Sequence, residues 1–225
     1  MERGKLFAVS RAFVRLKLGR WTVEVPPPEG PTVYVCRHGN MMGPLAALSW
    51  LPFPTRPWVL HVFTQRETCQ AQYRDYTFSE RFGLPKPLAA ALAWAVSGYV
   101  SALMKSLCAI PVYRGSARIG ETFRETAAAL RAGDPVLVFP DVDYTSSGGD
   151  IGEVYDGFLL IERFWRRVSD EPVRFVPLAL DRERRRIAAG PPVRFDPSKK
   201  VKEDLPRVRE ALREAMNRGP DSVNQ

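Results

Sequence analysis

The stretch that decides the fold runs from Ala117 to Phe139, ARIGETFRETAAALRAGDPVLVF. Between Ala117 and Ala132, the residues Ile119, Phe123, Ala127 and Leu130 recur at helical spacing and share one face. Gly133 suits the C-terminal cap, because glycine enters the left-handed conformation that ends a helix at no steric cost. Val136-Leu137-Val138-Phe139 then forms a short apolar run, as a buried strand does. Helix, cap and strand follow one another without a gap.

The same alternation extends in both directions. Thr32–Cys36, Trp58–Thr64, Ala109–Tyr113, Arg174–Leu180 and Pro192–Phe195 read as further strands, with helical patterns between most of them. Near the end, Leu205, Val208, Leu212 and Ala215 repeat the helical spacing. This order predicts an α/β fold, a single domain over residues 30–200 with a mixed, largely parallel sheet flanked by helices. A C-terminal helix and tail follow over 201–225. Pro26, Pro27, Pro28, Gly30 and Pro31 set off residues 1–25 as a separate N-terminal segment.

Composition narrows the class. Of 225 residues, 45% are hydrophobic and 26% charged, which excludes a disordered chain and a polytopic membrane protein. Lys and Arg number 33 against 25 Asp and Glu, a net charge of +8 that suits an anionic partner such as nucleic acid, an acidic protein or a phospholipid face. The three scattered cysteines, Cys36, Cys69 and Cys108, and the lack of a signal-peptide pattern point to a reducing compartment. With no CxxC pair and only two histidines, a structural zinc site is not expected.

The N-terminal segment is basic, with Arg3, Lys5, Arg11, Arg15, Lys17 and Arg20 against Glu2 alone. As a helix it places Leu6, Val9, Phe13 and Leu16 within an arc of roughly 80°, Arg11 and Arg15 opposite, and Phe7 and Val14 outside the arc. Such a helix suits the headgroup layer of an anionic membrane. An ordinary packed helix and a strand pair, with Val14, Leu16 and Leu18 and then Trp21, Val23 and Val25 alternating, are the other readings. Pro87–Met104 carries no charge over 18 positions, flanked by Lys86 and Lys105. Its alanines, Ser97, Gly98 and Ser101 dilute its hydrophobicity, so a buried or membrane-surface helix is expected rather than a span.

His38 follows the first strong strand in Cys36-Arg37-His38-Gly39-Asn40-Met41-Met42-Gly43-Pro44. A histidine there sits at the carboxyl edge of the sheet, where α/β proteins place catalytic groups, and a neutral imidazole can take a proton from a hydroxyl. Downstream come Ile110-Pro111-Val112-Tyr113-Arg114-Gly115-Ser116, Val136-Leu137-Val138-Phe139-Pro140-Asp141 and Phe175-Val176-Pro177-Leu178. In order and spacing these resemble the four blocks of the glycerolipid acyltransferases of the lysophosphatidic acid acyltransferase family: His-x4-Asp, a block ending in Arg, Phe-Pro-Glu-Gly-Thr-Arg, and Val-Pro-Val. Asp156-Gly157-Phe158 and Gly190-Pro191-Pro192 agree as well, and the resemblance covers residues 30 to 200.

The resemblance implies transfer of a fatty acyl group from acyl-coenzyme A or acyl-carrier protein to a hydroxyl of a lysophospholipid or glycerol phosphate-type acceptor. His38 would be the general base, and Arg114 would hold the acceptor phosphate. Asp141, at the third-block Glu, and Asn40 complete the expected substrate-binding set. No metal or other cofactor is expected. The expected location is peripheral, on the cytoplasmic face of an anionic membrane, with an acyl tunnel lined by the Ala-rich face of Pro87–Met104.

Two departures from the family pattern bear on the chemistry. The motif Asp, which would fix the imidazole tautomer, is Gly43 here, and no Asp or Glu lies between Glu29 and Glu67. The third block reads Asp141-Val142-Asp143-Tyr144, which loses its Arg and gains an acid. Three explanations stay open: a distant carboxylate (Asp141, Asp143 or Asp156) orients His38; a backbone carbonyl or water does; or the chain binds lipid or acyl chains without turnover. Other chemistries find less support. Cys36 or Cys69 with His38 or His61 would suit a cysteine hydrolase, but small thiols in apolar strands are commonly core, and His61 lies inside the run from Trp58 to Phe63. Arg182, Arg184, Arg185 and Arg186 lack interleaved aromatic residues, so no nucleic-acid partner is expected. Gly148-Gly149-Asp150 lacks the lysine of a phosphate loop.

Overall fold

The computed structural model describes residues 3–141 and 155–217. The chain is α/β, and its described residues group into two compact units. The first unit comprises residues 11–56, 123–141 and 155–217, the second 3–10 and 57–122.

In the first unit, strands β1 (Thr22–Glu24), β2 (Thr32–Cys36), β5 (Val136–Val138), β6 (Arg174–Asp181) and β7 (Arg186–Ala189) are ordered β1-β7-β6-β2-β5. Only β6 and β7 run antiparallel, so the sheet is mixed and largely parallel. All five residues of β2 are buried, as expected of a strand with parallel neighbours and layers on both faces. On one face Tyr34, Cys36, Leu137 and Leu178 pack with Ala46, Ala47 and Trp50 of α2 (Met42–Trp50) and with Trp21, whose ring centroid lies 5.7 Å from that of Trp50. Elsewhere in the core Phe158, Phe175 and Phe195 meet edge to face at 5.9 and 6.0 Å. Val208 and Leu212 of α7 (Val201–Asn217) are buried as expected, but Met216 is buried where Ala215 is only half-buried. Helix α5 (Ile119–Arg131) ends as predicted: Gly133 is left-handed (φ 78°), with Gly133 N–H donating to the Leu130 carbonyl and Asp134 N–H to that of Ala129.

One expected strand moves. Pro192–Phe195 makes only a single bridge, Val193 with Phe175, because Pro191 and Pro192 have no N–H for a ladder. The strand is instead Arg186–Ala189, paired with β6 across a turn in which Arg185 is left-handed (φ 51°).

In the second unit, β3 (Arg56–Leu60, whose Arg56 belongs to the first) pairs in parallel with β4 (Ile110–Val112), ending with Leu60 opposite Val112. The expected strand to Thr64 therefore stops early, and His61–Phe63 turn as a 3-10 helix. Helix α3 (Arg66–Ala71) runs on into a π-helical stretch, Gln72–Arg81, and α4 (Lys86–Ser106) packs against both.

Helix α1 (Lys5–Leu18) settles the N-terminal reading as a helix, while Thr22–Glu24 keeps the strand seen in the alternation of Trp21, Val23 and Val25. Most of the expected apolar arc faces out, and the helix packs through the residues outside it. Phe7 is buried and Val14 and Leu18 half-buried, whereas Val9, Phe13 and Leu16 are 68%, 60% and 80% exposed. Arg11 and Arg15 each donate from Nε to the Ser49 carbonyl, at 2.7 and 2.8 Å, where a guanidinium favours the C-terminal end of α2. In the second unit, the Phe7 N–H donates to the Ser106 hydroxyl at 2.9 Å.

Candidate functional site

The parallel register brings the site together. Val35 of β2 stands opposite Val138 of β5, so both strands end at the same edge of the first unit's sheet. His38 lies two residues beyond β2 and Asp141 three beyond β5. Both Asp141 carboxylate oxygens accept the His38 backbone N–H, at 2.9 and 2.7 Å. Two of the expected site residues therefore meet. Their contact runs through the backbone rather than the ring.

Beyond His38, Gly39, Asn40 and Met41 are all left-handed, with φ of 48°, 49° and 71°. Glycine adopts this freely and asparagine tolerates it, whereas methionine there costs on the order of 1–2 kcal/mol. The three residues form a tight turn: Met42 N–H reaches the Gly39 carbonyl at 3.1 Å and Gly43 N–H the His38 carbonyl at 3.0 Å. Asn40 is thus a turn residue, with an exposed side chain.

The turn also points the Met41 N–H at Nδ1 of His38, 3.3 Å away. A nitrogen that accepts an N–H carries no proton, so the neutral ring holds its proton on Nε2. Burial lowers the His38 pKa below the usual imidazole value, partly opposed by the negative charge of Asp141, and keeps the ring neutral near pH 7. Phe139 meets the ring edge to face at 5.8 Å. The Asp of the resembled pattern would accept from a ring N–H and fix the tautomer. Here a donor meets the ring at Nδ1 instead. Gly43 leaves no place for the missing Asp, because a β-carbon on it would fall on the Arg37 carbonyl oxygen.

Asp141 bonds the His38 backbone N–H, Asp156 is engaged by Arg209 at 3.3 Å, and Asp143 lies outside the described residues, as do Val142, Tyr144 and Gly148-Gly149-Asp150. A backbone group does meet the ring, the Met41 N–H at Nδ1. Arg114 follows β4 in the second unit and is exposed.

His61 is the residue that the sequence misplaced. It sits past the end of β3, half-buried, with its ring 5.0 Å from that of Tyr113 and Nδ1 3.3 Å from the Val112 carbonyl. A carbonyl only accepts, so here Nδ1 carries the proton and Nε2 the lone pair. The two histidines hold opposite tautomers. The apolar run from Trp58 to Phe63 hid this strand end. Arg118 lies over the other partner of that stack, 4.0 Å from the Tyr113 ring centroid, and grips Glu121 with two bonds.

Cys36 is fully buried, and burial pushes its thiol pKa far up, as a core thiol and not a nucleophile. Among the described residues, no group of three or more His, Cys, Asp and Glu stands together as a metal site would. Compared with known proteins, the chain matches no family model, and no curated protein matches it.

Proposed function

We propose that this chain is a peripheral membrane protein of the glycerolipid acyltransferase type that binds acyl lipid at an anionic phospholipid surface, and that His38 in its resting form does not act as a general base. Its ligands would be a lysophospholipid or glycerol phosphate-type lipid, or the acyl chain of acyl-coenzyme A or acyl-carrier protein. The type rests on the four sequence blocks, and the surface on the +8 charge and the exposed apolar arc of α1. The observation that carries the loss of base chemistry is the Met41 N–H on Nδ1, which leaves a proton on the nitrogen that would have to receive one.

A second reading, O-acyl transfer with His38 as base, draws on one observation: burial keeps the ring neutral at the carboxyl edge of parallel strands, as a base requires. In that reaction the acceptor hydroxyl gives its proton to the imidazole while its oxygen attacks the thioester carbonyl. The C–S bond then breaks, and the thiolate leaves with the proton. The ring must first release Met41 and expose a lone pair.

The test is thiol release from long-chain acyl-coenzyme A with lysophosphatidic acid on phosphatidylglycerol liposomes, for wild type and His38→Ala. The proposal expects no His38-dependent release, with lysophosphatidic acid binding, followed by tryptophan fluorescence, equal in both proteins. Release that needs the acceptor and vanishes in His38→Ala establishes the second reading instead.

A further inference from the structure

Helix α4 is built inside out. Ala89, Ala93, Ser97 and Ser101, the small residues, are buried, with Ala89, Ala93 and Ser97 at 0% exposure. They close against α3 and the π-helical stretch, so the Ala-rich face expected to line an acyl tunnel has no open surface along these positions. Large residues stand out instead: Leu88 is 49% exposed, Leu92 39% and, at the edge of the buried face, Trp94 61%, while Tyr99, 48% exposed, shares a 2.8 Å hydrogen bond with the Ser10 hydroxyl. At about 100° per residue, Leu88, Leu92, Ala95, Tyr99 and Ala102 fall within an arc of roughly 80°, nearly opposite the buried one. A helix in water does the reverse, because burial of Leu and Trp contributes far more than burial of Ala and Ser.

The charges around this stripe identify what covers it. No acidic residue lies from Pro87 to Met104, while Lys86 and Lys105 stand at its two ends. The Arg66 guanidinium lies over the Trp94 ring at 5.1 Å, which places a cation beside an aromatic ring of the kind that sits at headgroup depth. The helix is long and apolar enough to cross a bilayer. Its buried side argues against a span, because α3 and the π-helical stretch, with Arg66, Arg74 and Asp75, would have to enter the hydrocarbon with it. A half-buried helix with basic flanks fits the plane of the leaflet.

We infer that α4 lies in the plane of an anionic phospholipid leaflet, with Leu88, Leu92 and Ala95 turned into the acyl region and Lys86, Lys105 and Arg66 at the level of the phosphates. This rests on the membrane reading above, and it moves the principal contact from the N-terminal helix to α4.

Vesicle flotation tests it, with equimolar phosphatidylglycerol and phosphatidylcholine against phosphatidylcholine alone. Wild type, Leu92→Glu, Leu88→Glu and, on α1, Phe13→Glu are compared. Binding is expected to the anionic vesicles and to weaken at least about tenfold in both α4 variants, since a carboxylate replaces apolar surface in the leaflet. Quenching by nitroxide-labelled lipid, taken as the difference between wild type and Trp94→Phe, should place Trp94 at the interface without touching the stripe. If Phe13→Glu abolishes binding while both α4 variants bind as wild type and Trp94 is not quenched, the membrane reading stands and this inference falls. If wild type ignores both vesicle types, both fall. A lipid-free dimer that Leu92→Glu splits, seen by light scattering, would make a second copy the occupant and overturn the inference.

Discussion

The carbonyl oxygen of Arg37 occupies the place where a β-carbon on Gly43 would stand. The glycine is therefore part of the turn that follows His38. Gly43→Ala and Gly43→Asp should each destabilise the protein by about 1–3 kcal/mol or more, because the obstacle is backbone and cannot rotate away. Urea unfolding checks this. A Gly43→Ala protein with the wild-type midpoint would show that the turn relaxes freely. Placing a carboxylate at this position, as in the pattern the sequence resembles, should thus cost the fold.

The opposite tautomers of the two histidines can be read directly. Long-range proton–nitrogen correlation near pH 7.5 should show Nδ1 of His38 unprotonated and Nδ1 of His61 protonated. With only two histidines in the chain, assignment needs one variant, His61→Gln. A proton on Nδ1 of His38 would instead favour the reading of His38 as a base.

The lowered pKa of His38 ties stability to pH. The unfolded chain binds this proton near pH 6.5, and the folded ring binds it only at lower pH, so the unfolded state holds more protons between the two values. The contribution is fully present above about pH 6.5 and is lost as pH falls through that interval. Urea midpoints at pH 7.5, 6.5 and 5.5 should fall more steeply for wild type than for His38→Gln. Parallel slopes would refute the burial argument.

Glu162 is fully buried, accepting from Arg166 Nε at 2.7 Å and from the Val173 N–H at 2.9 Å. Arg166 in turn donates to the carbonyls of Lys199 and Asp196. Removing the carboxylate alone leaves its partners without their acceptor. Glu162→Ala should cost about 3–5 kcal/mol, and Glu162→Met with Arg166→Met should recover much of that. Thermal melts of the two variants decide. Equal losses would mean that the pair is not the cause.

Local pattern was enough for the sheet's central elements. Thr32–Cys36 is a strand with the predicted ends, Val136–Val138 and Arg174–Asp181 lie within a residue of theirs, and Gly133 caps α5. Period-2 runs, period-3.6 runs and a glycine stop are written within a few residues of one another. The edge of β2 and the residues beyond it, His38 and Asp141, were legible for the same reason.

Contacts between distant segments decided the rest. The extent of β3 depends on how far β4 accompanies it, and β7 formed where β6 found N–H groups rather than prolines. A hydrophobic arc gives the direction of apolar residues but not what they meet, so α1 packs through Phe7, Val14 and Leu18 while Val9, Phe13 and Leu16 face out. Helix α4 buries its alanines and serines for the same reason. The chemistry of His38 turned on the same kind of information. The residue type and its place were in the sequence, but the proton's position on the ring was set by three left-handed residues that swing one backbone N–H onto Nδ1.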